Sequence, residues 1–346
     1  MCLEKNFDET IGVINSIRER LRVKNDHIVF SDSSAHAAGH LQMLRNYRNF
    51  STICEITPAA ALVLAAEYQR WKELGHADLW VADVEHWADS VKNVLQRVGF
   101  FEIIGFESQP DFKVGPEIPE SEKKKTPQPE MKILRLESGD ATKTSAVRKL
   151  IDDLKELWPA RDGEQGPLEG LYGAMIEAVG NVVEHAYPVG IKTGCDNIRK
   201  WWITGALDKK GQRTMAVVYD QGVSIPVSLP RSARFEGVAQ RLRQMDAVAN
   251  VARSGLTDHW DGEIIKGEWD HRAIEAAVEE SLCAIGQPGR GQGLAQMKQF
   301  VDQCKEGYLR IASRNGTVVF RPNQKPLATY SQIPLGGTLI EWSVSL

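Results

Sequence analysis

Leu168-Glu-Gly-Leu-Tyr-Gly-Ala-Met-Ile-Glu177-Ala-Val-Gly-Asn181-Val-Val-Glu-His185-Ala-Tyr187 is the stretch on which the reading of this chain turns. At about 100° per residue, Asn181 lies about 40° and His185 about 80° from Glu177, so a carboxylate, a carboxamide and an imidazole share one helical face. Leu171, Met175, Ile176, Val179, Val182, Val183 and Ala186 fill the opposite arc, which predicts a helix over 168–187 with its apolar side buried. Gly173 and Gly180 flank the polar face and leave room for a bulky ligand beside the backbone. A carboxylate and an amide four residues apart suit a hard cation and a water. The Asn181 amide oxygen can coordinate Mg²⁺, and Glu177 can take a proton from water. Taken alone, the pattern also fits an amphipathic helix turned to solvent.

Two glycine-bearing stretches lie downstream. Ala216-Val-Val-Tyr-Asp220-Gln-Gly222 puts an aspartate at the end of an apolar strand and a glycine turn after it. A carboxylate there can accept a hydrogen bond from an exocyclic amine while the glycine lets a ring approach. Gly289-Arg290-Gly291-Gln292-Gly293-Leu294 leads into a helix, and its N–H groups form an anion site suited to phosphates. By itself such a run also marks a flexible turn. No Gly-Lys-Ser/Thr follows, so it is not a Walker P-loop, and no strand immediately precedes it, as a dinucleotide fingerprint requires.

Away from these motifs the chain is ordinary. It has 346 residues, 42% hydrophobic and 25% charged, with 42 basic against 46 acidic side chains and a net charge of −4. That length predicts two domains. The charge argues against nucleic acid and against a membrane surface as partners. The longest apolar run, Ala59–Ala66, is short of the ~20 residues that cross a bilayer, and the N-terminus has no signal pattern. Cys2, Cys54, Cys195, Cys283 and Cys304 are scattered and never form CxxC, so the chain reads as reduced and cytoplasmic. A stretch carrying Pro110, Pro116, Pro119, Pro127 and Pro129, with the run Glu120–Lys125, reads as a linker over 107–130.

Before the linker, 1–106 alternates as a small α/β domain. Helices are expected at Asp8–Val23, Ala35–Tyr47, Ala59–Leu74 and Glu85–Val98, and strands at His27–Phe30, Thr52–Ile56 and Asp78–Ala82. In 131–346 helices precede strands, the α+β pattern of one sheet covered on one face. Helices are expected at Thr142–Trp158, Leu168–Tyr187 and Leu294–Gln303. Strands are expected at Met131–Leu136, Ile198–Leu207, Thr214–Tyr219 and Thr338–Ser345, with a hairpin over Tyr308–Arg321 turning at Asn315-Gly316.

Glu177…Asn181…His185, then Asp220-x-Gly222, then Gly289-x-Gly291-x-Gly293, then Gly336-Gly337-Thr338 before a strand, in that order, resembles the GHKL ATPase superfamily over roughly 131–346. That group includes gyrase, heat-shock chaperone, histidine-kinase and mismatch-repair ATPases and anti-sigma-factor kinases; Glu184-His185-Ala186-Tyr187 looks most like the last branch. The resemblance implies a Bergerat-type α/β sandwich with a mixed sheet and a cofactor pair of ATP and Mg²⁺. It implies Glu177 as the water-polarising base, Asn181 as the Mg²⁺ ligand, and Asp220 with Gly222 at the adenine. It further implies His185, Gly289, Arg290, Gly291, Gly293 and Leu294 along the nucleotide, and Thr338 near the base. Two departures stand out: Ser224 occupies a place where the family commonly has another glycine, and the lid, about 223–288, is long.

Ile56-Thr57-Pro58-Ala59-Ala60-Ala61-Leu62-Val63-Leu64, with Arg97–Glu102, resembles a STAS-type domain. The phosphorylatable serine of that family is replaced here by prolines and alanines, with Thr57 the nearest hydroxyl, which favours a docking role for a protein partner. His36 and His40 lack the flanking acid and arginine of a kinase phosphoacceptor. In the lid, Arg231, Arg234, Arg241, Arg243 and Arg253 could reach a phosphate or form a solvated face. His259, Asp261, Asp270 and His271 fit no metal-ligand spacing. The expected function is a slow, Mg²⁺-dependent ATPase acting as a conformational switch on a partner, with a homodimer as a candidate assembly. The alternative is a protein kinase acting on a separate partner.

Overall fold

Burial of a charged residue inside an otherwise apolar helix shapes the first part of the chain. The computed structural model describes residues 1–22, 46–74, 79–105, 131–140, 144–157, 166–191, 193, 196–208, 212–233, 235–249, 260–261, 264–265, 267–283 and 292–345. The chain divides into two compact units, Met1–Gln128 and Pro129–Leu346. The expected strand at His27–Phe30, the histidines His36 and His40, and the linker 107–130 lie outside the described residues.

The first unit comprises α1 (Phe7–Arg22), β1 (Asn46–Asn49), α2 (Pro58–Glu73), β2 (Leu79–Ala82), α3 (Asp89–Val98) and α4 (Phe100–Ile103), with β1 and β2 parallel. Thr57 caps α2, its hydroxyl accepting from the Ala60 N–H at 3.3 Å, and Pro58 opens the first turn. From Pro58 to Ala66 every residue is buried, so α2 has no solvent face there. Glu67 is buried as well. Burial pushes its carboxyl up, but the Arg18 and Arg70 guanidinium groups outweigh that and hold it below the usual range. Arg18 Nε donates at 2.9 Å and Arg70 Nη2 at 2.8 Å. Phe50, Tyr68, Trp87, Phe100 and Phe101 pack edge to face and tilted around this helix. Two expectations are corrected here. Thr52–Ile56 is irregular, and the strand falls at Asn46–Asn49, overlapping the end of the helix expected over Ala35–Tyr47. Glu85 belongs to a single 3₁₀ turn, Val84–His86, and α3 starts only at Asp89 because Trp87 is extended.

The second unit holds β3 (Met131–Ile133), β4 (Glu137–Gly139), α5 (Thr144–Leu157), α6 (Gly166–Asn181), β5 (Trp201–Asp208) and β6 (Arg213–Asp220). Beyond these come α7 (Ile225–Ser228), α8 (Phe235–Ala249), β7 (Trp260–Asp261), β8 (Ile264–Ile265), α9 (Asp270–Cys283), α10 (Gly293–Gln303), β9 (Glu306–Phe320) and β10 (Leu327–Ser345). The main sheet runs β3–β5–β6–β10–β9, with β4 also on β5. Its described pairings are all antiparallel, which corrects the expected mixed sheet. A parallel neighbour needs a long crossover, whereas β5–β6 and β9–β10 are consecutive and return directly. Helices gather on one face, as expected of an α+β unit. Trp201, Ile203, Ala216, Val218, Ile311, Ile340 and Trp342 pack there against α5, α6, α9 and α10. The alternate side chains are buried too, among them the ion pair of Arg310 with Glu341 at 3.3 Å.

The expected hairpin turn at Asn315-Gly316 is not a turn. β9 continues through it to Phe320, and the pairing with β10 shifts register there, with Arg314 at φ 54°. The reason lies in α9. Asp270 accepts from the Asn315 N–H at 2.9 Å and from Arg314 Nε at 2.7 Å, so the helix start docks onto a bulge. At Gly316 an added Cβ would overlap the His271 backbone. Within the expected lid, about 223–288, one helix is well packed. Ile274 and Val278 of α9 belong to the main core, and Ala273, Ala276 and Ala277 pack against Val238 and Leu242 of α8. Residues 270–283, inside the expected lid, are therefore packed against the main core and α8.

Gly316→Ala should lower stability by roughly 1–3 kcal/mol through overpacking. Gly180→Ala, facing open space within a helix, should raise it by about 0.5–1 kcal/mol. Urea denaturation midpoints of the two variants check both signs.

Candidate functional site

Strand β6 ends on Asp220, which is 4% exposed and pairs across the sheet with Trp201 on one side and Thr338 on the other. The Gly222 N–H donates to its Oδ1 at 2.7 Å. Burial pushes the Asp220 carboxyl up to about 7, against the opposing pull of the Gly222 and Thr338 backbone N–H groups. Gly222 is pressed on the Ala186 carbonyl, where any Cβ would overlap, and the Val223 N–H donates to that same oxygen at 2.8 Å. Gly337, at φ 96°, lies so close to the Asp220 carbonyl that a side chain is excluded. The Thr338 hydroxyl is 2.8 Å from the Ser313 hydroxyl, and Ser313 Oγ accepts from the Ile225 N–H at 2.9 Å. Tyr187 adds a further tie: its hydroxyl accepts from the Gln221 N–H at 3.1 Å and donates to the Lys200 carbonyl at 2.5 Å.

A second convergence joins α6 to α10. Gly293, the first residue of α10, is so near α6 that a Cβ there would sit 2.7 Å from Glu177 Oε2 and 3.4 Å from Asn181 Nδ2. The end of the glycine-rich stretch thus meets the two polar residues that the helical wheel had put on one face. Glu177 is partly buried. Desolvation raises its pKa, and the nearby Glu184 carboxylate raises it further. Gly173 and Gly180 face open space, as expected. Leu294 packs against both apolar clusters. Gly289, Arg290 and Gly291 lie outside the described residues.

From Val182 to Ala186 the backbone widens into a π turn, with i→i+5 hydrogen bonding in place of the α-helical pattern. The His185 side chain is 57% exposed beside Glu184, and Val183, expected in the buried arc, is exposed, while Val182 and Ala186 stay buried. Glu184 is the residue that sequence reasoning left out of the site; its signal is a carboxylate two helical turns beyond Glu177. Ser313 gave no signal at all, since only the β9–β10 register brings it to Thr338.

Of the lid arginines, Arg241 pairs with Glu280 at 3.0 Å and Glu279 at 3.5 Å, and Arg243 with Glu236 at 3.3 Å. Arg231 donates to the Val227 carbonyl at 3.1 Å, while Arg234 and Arg253 lie outside the described residues. Chemically, the end of β6 offers a neutral-range carboxyl among glycines. The α6–α10 convergence offers the hard oxygen donors of Glu177 and Asn181 beside a helix N-terminus. Comparison with protein families, with curated proteins and with solved structures gives no match.

Because the folded carboxyl titrates near 7 and an unfolded one near 3.8, Asp220 is most favourable to folding when protonated, and that contribution is lost as pH rises from about 4 to 7. Asp220→Asn should therefore stabilise the ligand-free protein, more at pH 8 than at pH 5. Melting curves at the two pH values test this; an equal shift at both would refute the buried carboxyl.

Proposed function

We propose that the Pro129–Leu346 unit binds ATP with Mg²⁺ as a GHKL-type, Bergerat-like domain, and that the chain is a slow ATPase switching the state of a protein partner. The observation that best supports this is the meeting of Asp220, Gly222, Gly337 and Thr338 at one strand end, from segments more than a hundred residues apart in sequence. Asp220 would accept the hydrogen bond of the adenine amine, and Gly222 and Gly337, whose missing side chains let the Ala186 and Asp220 backbones close in, would hold the strand end around it. Glu177, Asn181 and Glu184 supply hard oxygen donors that suit Mg²⁺, and Gly293 brings the start of α10 to them. Burial and the Glu184 charge raise the Glu177 carboxyl, which suits it to take a proton from water.

In this reading the STAS-like first unit is a docking module. Thr57 is engaged as the cap of α2, which supports docking over a phosphoacceptor role. With Arg241 paired to Glu279 and Glu280, Arg290 in the glycine-rich stretch joins Arg234 and Arg253 as candidate cations for the phosphates.

Calorimetric titration of the full chain should show ATP binding that depends on Mg²⁺ and falls at least 10-fold in Asp220→Asn. Glu177→Gln should keep ATP affinity and cut phosphate release by about 10²–10⁴. Failure of the wild-type chain to bind millimolar ATP would sink the proposal. Labelled γ-phosphate on a protein instead of in solution would convert the ATPase into a kinase.

A further inference from the structure

We infer that Ser224 is a ligand-binding residue of this site, its hydroxyl bonding the ring end of the nucleotide next to the Asp220 carboxyl. The inference rests on the nucleotide reading above and extends it to a residue that the glycine pattern would have left bare.

Two independent costs are concentrated in this one residue. Its backbone stands at φ 82°, ψ 156°, a region that glycine occupies freely and L side chains almost never do. Its side chain is 94% buried, being 6% exposed, and its hydroxyl oxygen has no hydrogen-bond partner among the described residues. A glycine would remove both costs at once. The neighbouring backbone cannot relax to relieve them. On one side the Val223 N–H is tied to the Ala186 carbonyl; on the other the Ile225 N–H is tied to Ser313 Oγ, and the Ser228 N–H to the carbonyl of Ser224 itself at 3.1 Å.

Position gives these costs a direction. Ser224 is two residues past Gly222, and Ser313 links the peptide that follows it to the Thr338 hydroxyl. It therefore belongs to the same clasp that holds Asp220. Other buried polar atoms without partners among the described residues include Thr214 Oγ1 in β6, Trp342 Nε1 in β10 and His271 Nδ1 in α9, and none of these residues carries a left-handed φ. A hydroxyl both donates and accepts, which suits the edge of a purine, where ring-nitrogen acceptors flank an exocyclic amine. Strain and an unpaired hydroxyl held together in one residue, four positions after Asp220 and tied to the same clasp, are what a site shows when its partner atom belongs to the ligand.

The test uses the full chain with Ser224→Gly and Ser224→Ala, read by thermal melting and by calorimetric titration with Mg·ATP and with Mg·tripolyphosphate. Ligand-free Ser224→Gly should melt about 4 °C or more above wild type, with Ser224→Ala between them because it keeps the Cβ. Both variants should bind ATP about 10-fold more weakly and tripolyphosphate as wild type does, since the lost bond is at the ring end. ATP affinity within twofold of wild type in both variants overturns the inference and leaves the hydroxyl a structural feature. A lower melting temperature in Ser224→Gly overturns it through the strain argument. Wild-type protein that binds no ATP overturns the nucleotide reading and this inference with it, and that control separates the two failures.

Discussion

The pairing of β6 with β10, from Asp220↔Thr338 to Arg213↔Ser345, holds the rest of the second unit in place. Both strands are bonded on both sides, β6 also to β5 and β10 also to β9, so their register is set from four directions. A slip of one residue would turn Val218, Ile340 and Trp342 out of the helical core and send their neighbours in. That hydrophobic penalty fixes where the strand ends, and the strand end is where Asp220, Thr338 and Ser313 meet. The site thus inherits its geometry from the core and needs no flexible loop to assemble its floor.

Three buried carboxylates illustrate how differently one chain handles the same cost. Glu67 is neutralised by two guanidinium groups and stays ionised, welding α2 to α1. Asp270 has one guanidinium and a backbone N–H; burial still raises its pKa, and the pair anchors α9 to the bulge in β9. Asp220 has no cation beside it among the described residues, only two backbone N–H groups. The carboxyl left least compensated is the one lined by side-chain-free glycines, and a perturbed group in such surroundings is where binding chemistry is expected. Glu177 is a milder case, half shielded and facing a second carboxylate.

Much of this was legible in the primary structure, and what was not has identifiable causes. The 3.6-residue period placed Glu177 and Asn181 on one face of α6, and it held because Leu171, Met175 and Val179 opposite them are core residues. The same period failed at Val183, which is exposed within the π turn over Val182–Ala186, a local change that no periodicity announces. Asn315-Gly316 has the composition of a hairpin turn. Whether such a pair turns or bulges depends on what packs above it, and here that is the first turn of α9. The stretch expected to be a lid contains a core helix for a similar reason: its alanine-rich pattern reads as mixed until α8 and the sheet supply the two surfaces it fits between.

By itself, the order of residues determined the long helices and the main strands of the second unit, the division into an α/β and an α+β part, and which polar groups stand at the ends of apolar elements. Those are local matters, settled by side-chain period, caps and glycine. Tertiary structure alone decided which of those ends meet. It brought Gly293 to Glu177 and Ser313 to Thr338, and it stripped Asp220 of water while trapping Ser224 in a glycine's conformation. Such outcomes depend on long-range register and on desolvation, which exist only once the sheet has formed and its core has closed.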